Sequence, residues 1–298
     1  MIDELFNRFD GAFSQNTIRA YRADFNHYQA WCTNHGITPL PASGQVLARY
    51  VDAMAGHRSV ATIQRRIASL GSLFRLLEVD DPTKGADCVI ALKRARRQYG
   101  APQKQATPLT LDVLKALQAT CDSTRVGQRD CLLLQLGYET LRRRSELVKF
   151  CFEDLVTTPL GTHRLILRQS KTDQYRQGKQ LPISKALAQL IQEWKKPVDG
   201  RSRYLFPTIS HRGAIRAGHI APSQVNHILH SRQEQAGLEF DRPLSGHSFR
   251  VGGALDLLKR GVPMEKIMLR GGWKSESSAL RYLREWVGDD VLVWDEGE

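Results

Sequence analysis

The 298-residue chain has five cysteines, Cys32, Cys88, Cys121, Cys131 and Cys151, and no C-x-x-C or Cys/His pairing of the kind that binds zinc. Reduced core thiols are the expectation. The acidic residues form no H-E-x-x-H or D-x-D pattern, so neither a metal nor another cofactor is indicated. No apolar run approaches the roughly 20 residues that span a bilayer, and the opening MIDELFNRFDGAF lacks the basic and apolar regions of a leader. A cytoplasmic protein without membrane contact is expected.

Negative charge is scarce through most of the sequence. Lysine and arginine number 43 against 31 acids, a net charge of +12, and the pI is near 9.7. The last fourteen residues hold six acids and no base, which leaves +18 on the first 284. Such a body points toward a polyanionic partner, a class that includes double-stranded DNA among others. The acidic, apolar tail VGDDVLVWDEGE, residues 287–298, points instead to docking on protein.

Helical periodicity dominates the first hundred residues. Ile18, Tyr21, Phe25, Tyr28 and Trp31 recur at spacings of three and four behind a capping Ser14. Further helices are expected from Ser43 to Ala55 and from Ser59 to Leu77. Pro82 is expected in the first turn of the next one. On the outer face of the Ser59 helix, Arg58, Gln64, Arg65 and Arg66 make a basic cluster. Arg94 and Arg97 continue it on the following helix, either as a solvated face or as a DNA contact. APQKQATP carries two prolines and no periodicity, so it is a linker. The boundaries expected are 1–100, a linker at 101–108, and 109–298 with a docking tail at 288–298.

The second segment opens with Thr110 as an N-cap, then a buried helix near residues 127–138 and three consecutive arginines, 142–144, at a helix junction. HRLILR and QLPIS read as strands of a small antiparallel sheet around a turn that holds Lys171. Residues 211–220 read as a basic loop. PSQVNHILHSRQEQAG is a helix whose Ser223, Gln224, Asn226 and His227 either read base edges or form an ordinary polar face. His247 and Arg250 stand three apart on one helix, where both can face one anion. Trp273 follows a Gly-Gly pair, and Tyr282 lies nine residues further on.

Arg143-x-Ser145-Glu146-Leu147, Lys171, His247-x-x-Arg250, Trp273 and Tyr282 resemble, in order and spacing, the catalytic set of the tyrosine recombinase (phage integrase) family. The likeness covers nearly the whole chain, with Trp273 where most members have histidine. It implies a mainly α fold: an N-terminal helical, SAM-like core-binding domain and a C-terminal mixed α+β catalytic domain with a small antiparallel sheet, closing as a C-shaped clamp on DNA. It further implies Tyr282 as nucleophile, Arg143 and Arg250 as the phosphate clamp, and Trp273 as a donor to the same oxygens. Lys171 would be the general acid and His247 a proton carrier, with Glu146 in support. The products implied are a 3′-phosphotyrosyl link and a Holliday junction, made by a homotetramer on inverted half-sites. A type IB topoisomerase-like relaxing enzyme and a catalytically idle DNA-binding protein are the alternatives.

Overall fold

The computed structural model describes residues 2–101, 105–168 and 178–283, without the side chains of residues 2, 3, 281 and 282. The chain forms two compact units, Met1–Gln103 and Lys104–Glu298. It is mostly helical, with small antiparallel sheets in the second unit.

The first unit contains α1 (Ile2–Arg8), α2 (Gln15–Asn34), α3 (Gly44–Met54), α4 (Val60–Leu76) and α5 (Ala86–Tyr99). Ser14, Ser43 and Ser59 cap α2, α3 and α4 by accepting the N–H groups of Thr17, Val46 and Thr62 at 3.1, 3.2 and 3.2 Å. Each cap satisfies a donor that the first helical turn leaves open. The apolar rows of these helices meet in one core that includes Phe25, Tyr28, Tyr50, Ile67, Leu70 and Phe74. Every large side chain so buried contributes roughly 1.5–3 kcal/mol. Pro82 departs from expectation, because it opens a separate 3-10 turn, Pro82–Lys84, and α5 begins only after Gly85. Asp81 caps that turn, accepting from the Thr83 N–H at 3.1 Å.

The second unit runs α6 (Leu111–Ala119), α7 (Arg125–Thr140), α8 (Arg144–Leu147), β1 (Leu155–Thr157), β2 (His163–Leu167) and β3 (Lys179–Ile183). Then come α9 (Lys185–Val198), β4 (Pro207–Ile209), β5 (Ile215–His219), α10 (Gln224–Gln235), α11 (Ser248–Lys259), α12 (Met264–Gly271) and α13 (Glu276–Leu283). β2 pairs antiparallel with β1 and β3, with Leu165 opposite both Leu155 and Leu181. The stretch read as a loop at 211–220 contains β5, which pairs with β4. Arg216, Gly218 and their polar neighbours hid the strand, since its order comes from pairing and not from a buried apolar row.

α7 is the central beam of this unit. Leu132, Leu133, Leu134 and Leu136 are all fully buried, and α11 crosses it closely enough that a Cβ on Gly137 would stand 2.8 Å from the Phe249 ring. Thr110 occupies the N-cap of α6 but makes no side-chain cap bond. Asp256 of α11 does that work instead, accepting from the Leu111 N–H at 2.7 Å and from the Tyr138 hydroxyl at 2.6 Å. A second cluster, including Leu141, Val251, Ile267, Trp273, Ala279 and Leu283, joins the end of α7 to α11, α12 and α13. No described helix is long and apolar enough to cross a membrane.

Candidate active site

The site forms where three helix ends meet. α7 stops at Thr140 because Leu141 turns into the left-handed region, φ +53°. The chain then delivers Arg142 inward and Arg143 to the N-cap of α8. Arg143 is 26% exposed and donates to Glu146 Oε1 at 3.0 Å, while Glu146 itself is buried. The carboxylate therefore aims the guanidinium, as a supporting residue would.

Arg250, on the first turn of α11, is 1% exposed. It donates to the carbonyls of Leu141 at 2.6 Å and Gly271 at 2.9 Å, and its guanidinium carbon lies 4.4 Å from the centre of the Trp273 ring. Trp273 reaches that place through the Gly-Gly pair: Gly272 takes φ +68°, and a Cβ on Gly271 would stand 1.9 Å from the indole.

His247 occupies the N-cap of α11. Desolvation first, and then the charges of Arg250, Arg144 and Arg143, hold its pKa below the usual imidazole range. The ring is thus neutral near pH 7 and able to accept a proton. Backbone atoms put Tyr282 on α13, whose Ala279 and Leu283 pack in the cluster that contains Trp273. Lys171 and the tail at 288–298 lie outside the described residues.

Three further cations without a role assigned from the sequence, Lys179, Arg142 and Arg270, gather here around Arg250. Lys179, Arg142 and Arg250 donate respectively to the consecutive carbonyls of Leu269, Arg270 and Gly271, the last turn of α12. Helix C-termini carry open carbonyls and partial negative charge, so cations suit them. Arg142, 2% exposed, also donates to the Thr140 carbonyl at 2.9 Å. Burial pulls its pKa down to about 10, opposed by Glu146 and reinforced by Arg250, Arg143 and Arg270. The three-arginine run is therefore accommodated by backbone oxygens and Glu146 as well as by any bound anion. Arg270 donates to the Glu139 carbonyl at 2.6 Å. The sequence signals for this group are the RRR run and the His247-x-x-Arg250 spacing; nothing marks Lys179 or Arg270.

The positions read as DNA contacts divide. Arg58, Gln64 and Arg97 are exposed, and Arg94 is half-exposed beside Asp52 at 3.3 Å. Arg65 pairs with the buried Asp24. Arg66 is not on the outer face: its side chain is 13% exposed, 3.8 Å from Asp24, and hydrogen-bonded to His27 at 2.7 Å. Buried Asp24 needs positive partners, and Arg66 turns inward to supply one. Ser223, Gln224 and His227 are exposed on α10, whereas Asn226 is half-buried and accepts from the Gly246 N–H at 3.0 Å. Among the described residues no group of three or more His, Cys, Asp or Glu could hold a metal ion.

Arg143, Arg250 and a histidine with a lowered pKa at the helix junctions, a helix that carries Tyr282, and a basic chain together fit an enzyme of DNA breakage and rejoining. Comparison with known proteins makes that class specific. Residues 108–286 match the phage integrase family and residues 8–79 match the phage integrase N-terminal SAM-like domain, so the chain belongs to the phage integrase family, the tyrosine recombinases. It is 27% identical over 288 residues to an integrase/recombinase xerD homolog of Selenomonas ruminantium, covering 93% of this chain and 84% of that protein. It is 24% identical to the recombinase cre of Escherichia phage P1, covering 96% and 90%. In fold it is similar to the XerH site-specific recombinase bound to palindromic difH substrate in a post-cleavage complex. The TM-score is 0.70 at 17% identity, with 94% of this chain and 80% of that one covered.

Proposed function

We propose that the protein recombines duplex DNA at paired inverted half-sites through a covalent tyrosine intermediate. The Tyr282 oxygen attacks the scissile phosphorus while the P–O5′ bond breaks, which leaves a 3′-phosphotyrosyl link and a 5′-hydroxyl. Arg143 and Arg250 clamp the non-bridging oxygens, and the Trp273 indole N–H donates to the same group. His247 takes the phenolic proton and Lys171 delivers one to the departing 5′ oxygen. Glu146 orients Arg143. The 5′-hydroxyl of a second duplex then attacks the phosphotyrosine, returning the phenol and passing through a Holliday junction. Bond energy stays in the covalent link, so neither ATP nor a metal is needed.

One observation carries this reading: Arg250 of α11 donates to the Leu141 carbonyl at 2.6 Å, two residues before Arg143, and its guanidinium carbon lies 4.4 Å from the centre of the Trp273 ring, so motif residues from separate helix junctions come together. Similarity to XerH, which is seen on a palindromic substrate, and to the recombinase cre supports paired half-sites and a Cre-like course. The first unit, with Arg58, Gln64, Arg65, Arg94 and Arg97, holds DNA alongside α10. Four active sites on two duplexes require a homotetramer, in which the tail at 288–298 docks on a neighbouring protomer. The protein works in the cytoplasm, on the nucleoid or a mobile element.

The test is to incubate the protein with its own flanking genomic DNA, trap covalent complexes and sequence the attachment points. Wild type is expected to give site-specific 3′ adducts and recombinant products, and Tyr282→Phe none. Adducts with Tyr282→Phe would sink the nucleophile assignment. Plasmid relaxation without recombinants would favour a topoisomerase-like enzyme. Deleting residues 288–298 is expected to weaken synapsis more than single-site binding, and equal loss of both in gel shifts would remove the docking role.

A further inference from the structure

α10 carries two amide side chains seven residues apart, Asn226 and Gln233, which therefore lie on nearly the same face two turns apart. Both accept from a strap of backbone that leads into α11. The Gly246 N–H donates to Asn226 Oδ1 at 3.0 Å, and the Leu244 N–H donates to Gln233 Oε1 at 2.9 Å. The Gln233 amide nitrogen in turn donates to the Leu238 carbonyl at 3.1 Å. Because each strap partner is an N–H donor, chemistry fixes which end of each amide faces it.

The strap is held from its other side as well. A Cβ on Gly246 would stand 3.1 Å from the Arg144 Cβ, so Gly246 sits flush against the residue that follows Arg143. Ser245 and Ser248 brace the turn, with the Ser245 N–H donating to Ser248 Oγ at 2.9 Å and the His247 N–H to Ser245 Oγ at 3.3 Å. The residue that emerges from this braced turn is His247. On α10, Ser223, Gln224 and His227, all within three positions of Asn226, are exposed. The last turn of α10 is anchored by Arg232, which pairs with buried Asp130 through Nη2 at 2.8 Å and donates to the Thr120 carbonyl at 2.8 Å, while Asn226 lies in the first turn.

We propose that Asn226 is a positioning residue, tying the seating of α10 on DNA to the alignment of His247, so that target recognition sets the rate of strand cleavage. This rests on the reading of α10 as a DNA-contacting helix and of His247 as the proton acceptor. The strap carries a shift at this end of α10 to the backbone of His247, because Asn226 holds the Gly246 N–H and Ser245 holds the adjacent His247 N–H. Asn226 therefore serves specificity without reading a base.

The substrate for the test is a duplex that carries the mapped attachment sequence, nicked beside the cleavage point so that the covalent complex accumulates. Asn226→Ala removes the acceptor, and Asn226→Asp keeps an Oδ acceptor for Gly246. With DNA saturating, Asn226→Ala is expected to slow covalent-complex formation at least tenfold with its Kd within threefold of wild type. Asn226→Asp should recover most of that rate. If Asn226 acts through His247, adding Asn226→Ala to His247→Ala should cost nothing further, an outcome that a general loosening of the fold does not produce.

Wild-type cleavage by Asn226→Ala, with His247→Ala slow, would overturn the proposal alone. So would a tenfold loss of affinity with altered sequence preference and normal cleavage at saturation, since Asn226 would then be a base reader. Additive losses in the double variant count against it equally. Wild-type cleavage by His247→Ala would instead overturn the underlying assignment of the proton acceptor, and the proposal with it.

Discussion

Arg250 lies with its guanidinium carbon 4.4 Å from the centre of the Trp273 ring, and both side chains are nearly closed to solvent at 1% and 8% exposure. Away from water a cation over an indole face gains about 2 kcal/mol, and the pair is held by carbonyls on two helix ends. The indole thus faces the Arg250 cation and fills the surrounding core at once. Trp273→Ala is expected to lower stability by about 3–5 kcal/mol, the usual cost of emptying such a place. Trp273→Phe should lose less than half of that, because a ring remains. Urea unfolding midpoints read out the difference; equal losses would show that ring packing contributes little.

Arg142 is expected to matter for the reaction and little for stability. Replacing it by methionine strips the Thr140 and Arg270 carbonyls of a donor, about 1–3 kcal/mol each. The same change relieves the cost of burying a charge beside Arg250, Arg143 and Arg270, several kcal/mol in the other direction. The two nearly cancel. The last turn of α12 meanwhile loses a tie that sets Trp273 against Arg250, so covalent-complex formation should fall about tenfold. A chemical melt together with a single-turnover cleavage assay separates the two effects.

The His247 imidazole should titrate below 6.5 in the free protein, because desolvation and three guanidinium groups disfavour its charged form. A base with a depressed folded-state pKa binds protons better when unfolded. Its contribution to stability is therefore full at neutral pH and declines as the pH falls below about 6.5. A bound phosphate carries the opposite charge and should raise the pKa. NMR titration of the ring, with and without DNA, gives both signs.

Asp130 sits buried between Arg129 at 2.7 Å and Arg232 at 2.8 Å, joining α7 to α10. Asp130→Asn is expected to destabilise the second unit by about 3–5 kcal/mol, because two buried guanidinium groups lose their counter-charge. Substituting Asp130 and Arg232 together by apolar residues should cost much less. Denaturant melts of the two variants decide the matter, and comparable losses would argue that packing at this point outweighs charge.

By itself the sequence determined the three helices that begin at Ser14, Ser43 and Ser59, the first with its serine cap, the amphipathic faces that make the core of the first unit, and the linear order of the motif residues. Those features are local: a cap acts within three residues and a helical face repeats every three or four, so a one-dimensional pattern records them. Only the tertiary structure decided that Arg66 turns inward to Asp24, that β5 pairs with β4, and that Arg142 is buried on the end of α12. It likewise decided that Asn226 holds Gly246. In each case the deciding partner lies on another element, whether a buried carboxylate, a strand edge or an open helix C-terminus. Arginines and amides look alike in sequence whether water or a distant carbonyl satisfies them, and folding settles which partner they meet.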